Sequence, residues 1–279
     1  MINIITGPLT YDFILRGMLA AVIVGITCGV IGCYVVLKSL AFMGDALAHA
    51  ILPGVAVAYL LNFNLLLGAL AAAFLVALGI GYVSRRGDLR EDTAIGVLFA
   101  GSLALGVALI SSIRTYAVDL SHILFGNVLG VSNQNLIMVA ILSAVILSVI
   151  LILYRAFLLI SFDPILARTL FLPAEGLRYL LLILLALTIV ISLQTVGIGL
   201  VTALLVTPAA SAYLLTRRLP AMMVVSASIG AFSGILGIYL SFYWDIASGA
   251  AIVLVATAIF FLTFLFAPQR GLIWQRRRS

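Results

Sequence analysis

The chain has 279 residues, a net charge of +6, and a composition that is 65% hydrophobic and only 9% charged. A soluble domain carries about 25% charged residues. With a mean hydropathy of +1.33, the composition excludes a soluble enzyme and reads as an all-α, polytopic helical membrane protein. No long polar stretch leaves room for a soluble domain, so residues 1–279 are expected to form a single transmembrane unit.

In chain order, the first span is expected at 13–36, and it has no positive leader or cleavage site ahead of it. Gly25 and Gly29 give it a small-xxx-small face for close helix contact. Cys28 and Cys33 stand five apart on this helix and point well away from each other, which suits packing better than a disulfide or a shared metal. Lys38, the chain's only lysine, marks the next turn. No glycine-rich loop precedes a Lys-Ser/Thr pair, so the chain does not bind ATP in the P-loop manner. Any ATP-driven step must use another subunit.

The second span, 40–61, holds Asp45 and His49 among apolar and small residues. Four residues apart on a helix, they share one face. Ionisable groups in a span are expensive and usually face a bundle interior or a polar path. A carboxylate and an imidazole also suit a divalent first-row metal. Pro53 removes the helical donor to the carbonyl of His49, and Gly54 lets the backbone bend there. One turn thus offers a carboxylate, an imidazole and a loose carbonyl. An interhelical hydrogen-bond pair is the alternative reading.

The run Gly44-Asp45-Ala46-Leu47-Ala48-His49-Ala50-Ile51-Leu52-Pro53-Gly54-Val55 resembles the hallmark of the metal-ion ABC permeases (ABC-3 type) that import manganese, zinc or iron. Its Leu-Pro-Gly-Val ending is most similar to the manganese-type members. The resemblance implies a type II ABC importer-like permease with 8–9 transmembrane helices. It also implies that Asp45 and His49 line the translocation path.

A third span at 65–84 follows the turn Asn62-Phe63-Asn64. The most charged segment comes next, Arg85 to Asp92, and its three arginines place it in the cytoplasm. A fourth span is expected at 93–113, then a mixed segment, 114–133, short enough for a re-entrant or interfacial helix. It carries the second histidine, His122, either a metal ligand or a solvated side chain. Residues 134–155 span again.

The loop 156–178 contains Ser161-Phe162-Asp163-Pro164-Ile165-Leu166-Ala167-Arg168-Thr169-Leu170. Asp163 suits an N-cap and Pro164 the first helical position, which predicts a short helix outside the spans. Ile165, Leu166 and Leu170 would suit a groove on a partner protein. By resemblance, about 161–173 is the coupling segment that docks on the ATPase, with Asp163, Pro164, Ile165, Leu166, Ala167, Arg168 and Leu170 carrying the contact. The family commonly has a glycine just after this helix; here Phe171-Leu172-Pro173 follows.

Spans at 178–195 and 197–215 come next, the second broken at Thr207-Pro208, which flanks the substrate path or marks a tight crossing. Spans at 221–241 and 246–266 complete the set, with Tyr243 as an interface anchor and a basic tail from Arg270 to Arg278. Strict counting gives nine spans with the N-terminus outside; eight result if one short segment does not cross. The arginines follow the positive-inside pattern and form no nucleic-acid patch.

The reading that emerges is a multi-pass permease of the bacterial cytoplasmic (inner) membrane with a cytoplasmic C-terminus. Its cargo is a divalent transition metal, manganese by motif, with zinc, iron or a metal chelate as alternatives. By resemblance its partners are a second permease copy, a cytoplasmic ABC ATPase dimer and an extracytoplasmic metal-binding protein. The chain itself is expected to bind no cofactor. A proton-coupled secondary metal carrier could use the same Asp and His as a relay, and would need no docking loop. An intramembrane metalloenzyme lacks His-Glu-x-x-His and a third clear ligand.

Overall fold

The computed structural model describes residues 7–86, 90–111 and 128–267, and all of the regular structure there is helical. The helices are α1 (Asp12–Leu37), α2 (Ala41–Ala50), α3 (Leu52–Leu60), α4 (Leu65–Arg86), α5 (Glu91–Ser111), α6 (Asn133–Ile152), α7 (Tyr154–Phe162), α8 (Pro164–Thr169), α9 (Ala174–Val196), α10 (Ile198–Leu215), α11 (Leu219–Trp244) and α12 (Ser248–Phe266). Short 3₁₀ turns lie at Pro8–Thr10 and Val128–Gly130. Among the described residues eight segments are long and apolar enough to cross a membrane, with α2 and α3 together forming one of them. The apolar part of α10 has 17 residues, at the short limit for a span. Both expected counts therefore describe the same object: eight full-length spans, or nine when α10 is included.

The core is organised around α1. It packs most extensively on α11 and α10, which in turn pack on α12, while α4 packs on α9 and α3. Small residues decide the closest crossing. A methyl added at Gly25 would lie 2.6 Å from the Gly230 carbonyl oxygen, so only glycines let α1 and α11 approach this far. One turn on, Ser226 donates its hydroxyl to the Gly29 carbonyl at 2.8 Å. The small-xxx-small face read from Gly25 and Gly29 is thus the α1–α11 contact. Gly54 and Gly68 make a second such crossing, between α3 and α4. Cys28 and Cys33 are both buried free thiols. Cys28 lies against Ser192 and Cys33 donates to the Gly29 carbonyl.

Two boundaries differ from the sequence reading. The segment after α6 is not loop: α7 follows one residue after a turn at Leu153, with Phe157 and Ile160 buried. Arg155 reads as the end of a span, but Phe157 and Ile160 stand three apart and turn one helical face inward. Phe157 packs edge-on against the buried Tyr34 of α1, with ring centroids 5.7 Å apart. The span at 40–61 is two helices, separated at Ile51, with Pro53 in the first turn of the second. Proline fits that position because its missing N–H has no partner there in any helix. Between α9 and α10 the chain turns at Gly197, whose φ of 83° favours glycine.

Candidate functional site

α2 buries Met43, Gly44, Ala46, Leu47, Ala48 and Ala50, and leaves Asp45 and His49 on its remaining face. The Asp45 side chain is 52% exposed and that of His49 27%. A half-exposed carboxylate within an apolar span is costly against lipid, so this face calls for water or a polar neighbour. The Nδ1 atom of His49 lies 3.5 Å from Oδ1 of Asp45 and 3.0 Å from the Asp45 carbonyl oxygen. A carbonyl only accepts, so this contact puts a proton on Nδ1; in the neutral ring the lone pair is then on Nε2. Phe99 of α5 holds the ring edge to face, with centroids 5.8 Å apart.

The sequence reading of this turn is reproduced in its geometry: the two side chains share one face, and the helix breaks just beyond them. Pro53 has no N–H to offer the carbonyl of His49. The His49 carbonyl accepts the Ile51 amide instead, so a single chain presents one carboxylate and one imidazole nitrogen here. Among the described residues no group of three or more His, Cys, Asp or Glu side chains gathers where a metal could be held.

α10 packs beside this turn. Pro208 is buried inside α10, and the Thr207 carbonyl accepts the Ser211 hydroxyl at 2.9 Å. The side chain resting on the turn belongs to Leu205, whose Cδ2 is 2.7 Å from where a Gly44 side chain would begin. Leu205 escaped the sequence reading because α10 is apolar on all sides, and nothing in its composition marks which leucine meets α2. His122 lies outside the described residues.

Residues 161–173, expected from resemblance to dock on an ATPase, form the short helix read from the sequence. Oδ1 of Asp163 accepts the amides of Ile165 at 3.0 Å and Leu166 at 2.9 Å, an N-cap that leaves Pro164 at the first helical position. Ala167 is buried and anchors α8, while Ile165, Leu166 and Leu170 are exposed. Arg168 is on the same helix. The helix end is closed without glycine: Phe171 takes φ 56°, and the Leu172 amide donates to the Ala167 carbonyl at 3.1 Å. That is the Schellman closure, with phenylalanine where glycine is usual. Phe162 and Phe171 also extend the exposed apolar surface, Phe171 at 97% exposure. Neither was read from sequence as part of the apolar contact, although each flanks the capped turn and Phe171 stands where the family commonly has glycine.

The profile of the ABC 3 transport family matches residues 10–267. The chain belongs to that family. This ABC 3 chain is 47% identical over 274 residues to the manganese transport system membrane protein MntC of Halalkalibacterium halodurans, covering 97% of this chain and 94% of that one. It is 41% identical over 270 residues to a Haemophilus influenzae protein named as a probable iron transport system membrane protein, covering 97% and 99%. Its fold matches a chain of the solved structure of PsaBC from Streptococcus pneumoniae in complex with Fab, with a TM-score of 0.87 at 36% identity and full coverage of both chains. The family expected from the Gly44–Val55 motif and the all-helical permease fold are both what these matches give.

Proposed function

We propose that this ABC 3 permease carries divalent manganese through an ATP-driven importer and that Asp45 and His49 line the ion path. The observation that carries the reading is the Asp45–His49 turn. It holds a half-exposed carboxylate beside an imidazole whose Nδ1 meets the Asp45 carbonyl, on a helix whose other residues are apolar and mostly buried. A relative sharing 47% identity is named for manganese transport.

Two side chains are a sparse site for a metal. A second copy facing the first across a two-fold axis would bring two carboxylates and two imidazoles together. It would also cover the charged face that lipid disfavours. Modest binding suits conduction, because the ion must leave as well as enter. Zinc outranks manganese in intrinsic affinity for such donors, so selectivity has to come from geometry or delivery. The Haemophilus influenzae relative keeps iron as a second reading of the cargo.

The chain has no P-loop, so the ATPase is a separate subunit. α8 is the element that would meet it, with Asp163 and Pro164 starting the helix and Ile165, Leu166, Leu170 and Phe171 offering the apolar contact. An extracytoplasmic metal-binding protein would supply the ion at the opposite face. The arginines of 85–90, 217–218 and 270–278 support a cytoplasmic position for α8 and the C-terminus.

The test is metal accumulation in a metal-starved host expressing the chain with its ATPase and binding protein. Manganese, zinc and iron are offered together. Manganese uptake lost in Asp45→Ala and His49→Ala, with normal protein in the membrane, supports the reading. Normal uptake in both variants would make the pair structural. Uptake that persists when the ATPase loses its P-loop lysine would instead indicate a proton-coupled carrier.

A further inference from the structure

Leu205 touches two helices at once. Its carbonyl oxygen lies where a side chain on Gly32 of α1 would begin, and the methyl of Ala209, one turn on, is 3.2 Å from that same point. Its own side chain reaches the other way, to Gly44 of α2, with Cδ2 at 2.7 Å from the position of an added Cβ. Leu205, Gly32 and Gly44 are all buried. The residue after Gly44 is Asp45, the carboxylate of the candidate path.

We propose that Leu205 is a positioning residue, a strut between α1 and α2 that sets where the Asp45–His49 turn stands. The proposal rests on the reading of Asp45 and His49 as path residues. The backbone of α10 cannot retreat toward α1, because the Leu205 carbonyl already lies against the bare backbone of Gly32. The position of α2 is therefore set by the length of the Leu205 side chain and by the absence of one at Gly44. A methyl group at Gly44 would need roughly 1 Å more room to reach ordinary carbon–carbon contact. Metal–ligand distances tolerate only about 0.2 Å, so a shift of that size in the adjoining residue is large for a ligand and small for a helix. Pro208 adds a second feature. It has no N–H for the carbonyl of Leu204, so α10 lacks one helical hydrogen bond beside the strut and can bend there. Movement of α10 would then reach the carboxylate through Leu205.

The test uses the full permease with its ATPase and binding protein, and reads the KM for manganese uptake, normalised to permease in the membrane. Gly44→Ala is expected to raise KM about tenfold or more, the range seen when residues supporting metal ligands are changed. Leu205→Val shortens the strut by one methylene while Gly44→Ala adds one methyl. The double variant conserves volume, and KM is expected to return to within about threefold of wild type. A double variant no better than Gly44→Ala, or a Gly44→Ala permease with wild-type KM, overturns the strut. If Gly44→Ala does not reach the membrane, Leu205→Ala decides. A raised KM, restored by Leu205→Met, supports the proposal, and an unchanged KM overturns it. Asp45→Ala is measured alongside. If it transports like wild type, the path reading fails and the strut with it; if it abolishes uptake while Gly44→Ala and Leu205→Ala keep wild-type KM, only the strut fails.

Discussion

His49 donates its Nδ1–H to the carbonyl oxygen of Asp45, one helical turn back and 3.0 Å away. The bond fixes the tautomer and leaves Nε2 as the nitrogen able to meet a metal. A glutamine at 49 would place its amide oxygen near the position of Nε2, whereas an asparagine reaches only as far as Nδ1. We expect His49→Gln to keep roughly a tenth of wild-type manganese uptake and His49→Asn to show none above background, by the scale of such ligand changes. Elemental analysis of metal-loaded cells reads both. The reverse order would mean that Nδ1 faces the ion and that its bond to Asp45 is not kept during transport.

The cap on α8 leads to a second prediction. Six residues are too few for a helix to hold itself together, so the two amides accepted by Asp163 matter more here than at the end of a long helix. Replacing the cap by alanine costs about 0.5–2 kcal/mol in other helices. Asp163→Ala should therefore fray α8 and lower uptake, while Asp163→Asn and Asp163→Ser, which also cap, should keep most of it. Transport by the three variants at equal membrane levels separates a cap from a charge. Loss in all three would point to the carboxylate itself, for instance in contact with a partner.

Phe171 gives a prediction with opposite signs in two measurements. A non-glycine residue in the left-handed region is held there at a cost of roughly 1–2 kcal/mol, and this one is almost wholly exposed. Phe171→Gly removes that strain, so thermal stability of the isolated permease should hold or rise. It also removes an exposed aromatic beside Leu170, and truncating a central anchor typically weakens a protein contact by about 2 kcal/mol or more. Affinity for the ATPase should fall by about thirtyfold or more, measured by binding of the purified subunits in detergent. A variant both more stable and equally well bound would show that Phe171 only closes the helix.

The candidate site was legible where chemistry stands out from a uniform background. Asp45 and His49 are conspicuous because almost every neighbour is apolar, and Asp163-Pro164 because a cap followed by proline is a local signal that needs no tertiary information. The spans were legible from length and hydropathy, and Gly25 and Gly29 showed that one face of α1 meets another helix. What the sequence did not carry is which helix meets which. In lipid the outward and inward faces are equally apolar, so no hydrophobic pattern tells α1 that its partner is Gly230 or tells α2 that Leu205 rests on Gly44. The same ambiguity hid α7. Its buried residues Phe157 and Ile160 differ from their exposed neighbours by contact alone, and Arg155 gave a misleading stop.

The α1–α11 crossing is the place to test how much of the bundle depends on glycine. A methyl at Gly25 would sit 2.6 Å from the Gly230 carbonyl oxygen, whereas a carbon normally stands about 3.3 Å or more from a carbonyl oxygen. The two helices must move apart, and the bond from Ser226 to the Gly29 carbonyl would lengthen with them. Overpacking of this kind costs about 1–3 kcal/mol, so Gly25→Ala and Gly230→Ala should each lower the melting temperature of the purified permease. Because both methyls open the same contact, the double variant should lose less than the sum of the singles. Gly249 in α12 is the comparison, since a methyl there meets nothing within 4 Å. Gly249→Ala should leave the melting temperature unchanged or raise it slightly, as alanine gives up less backbone freedom in a helix. Equal losses at all three positions would mean that the effect does not come from the α1–α11 crossing.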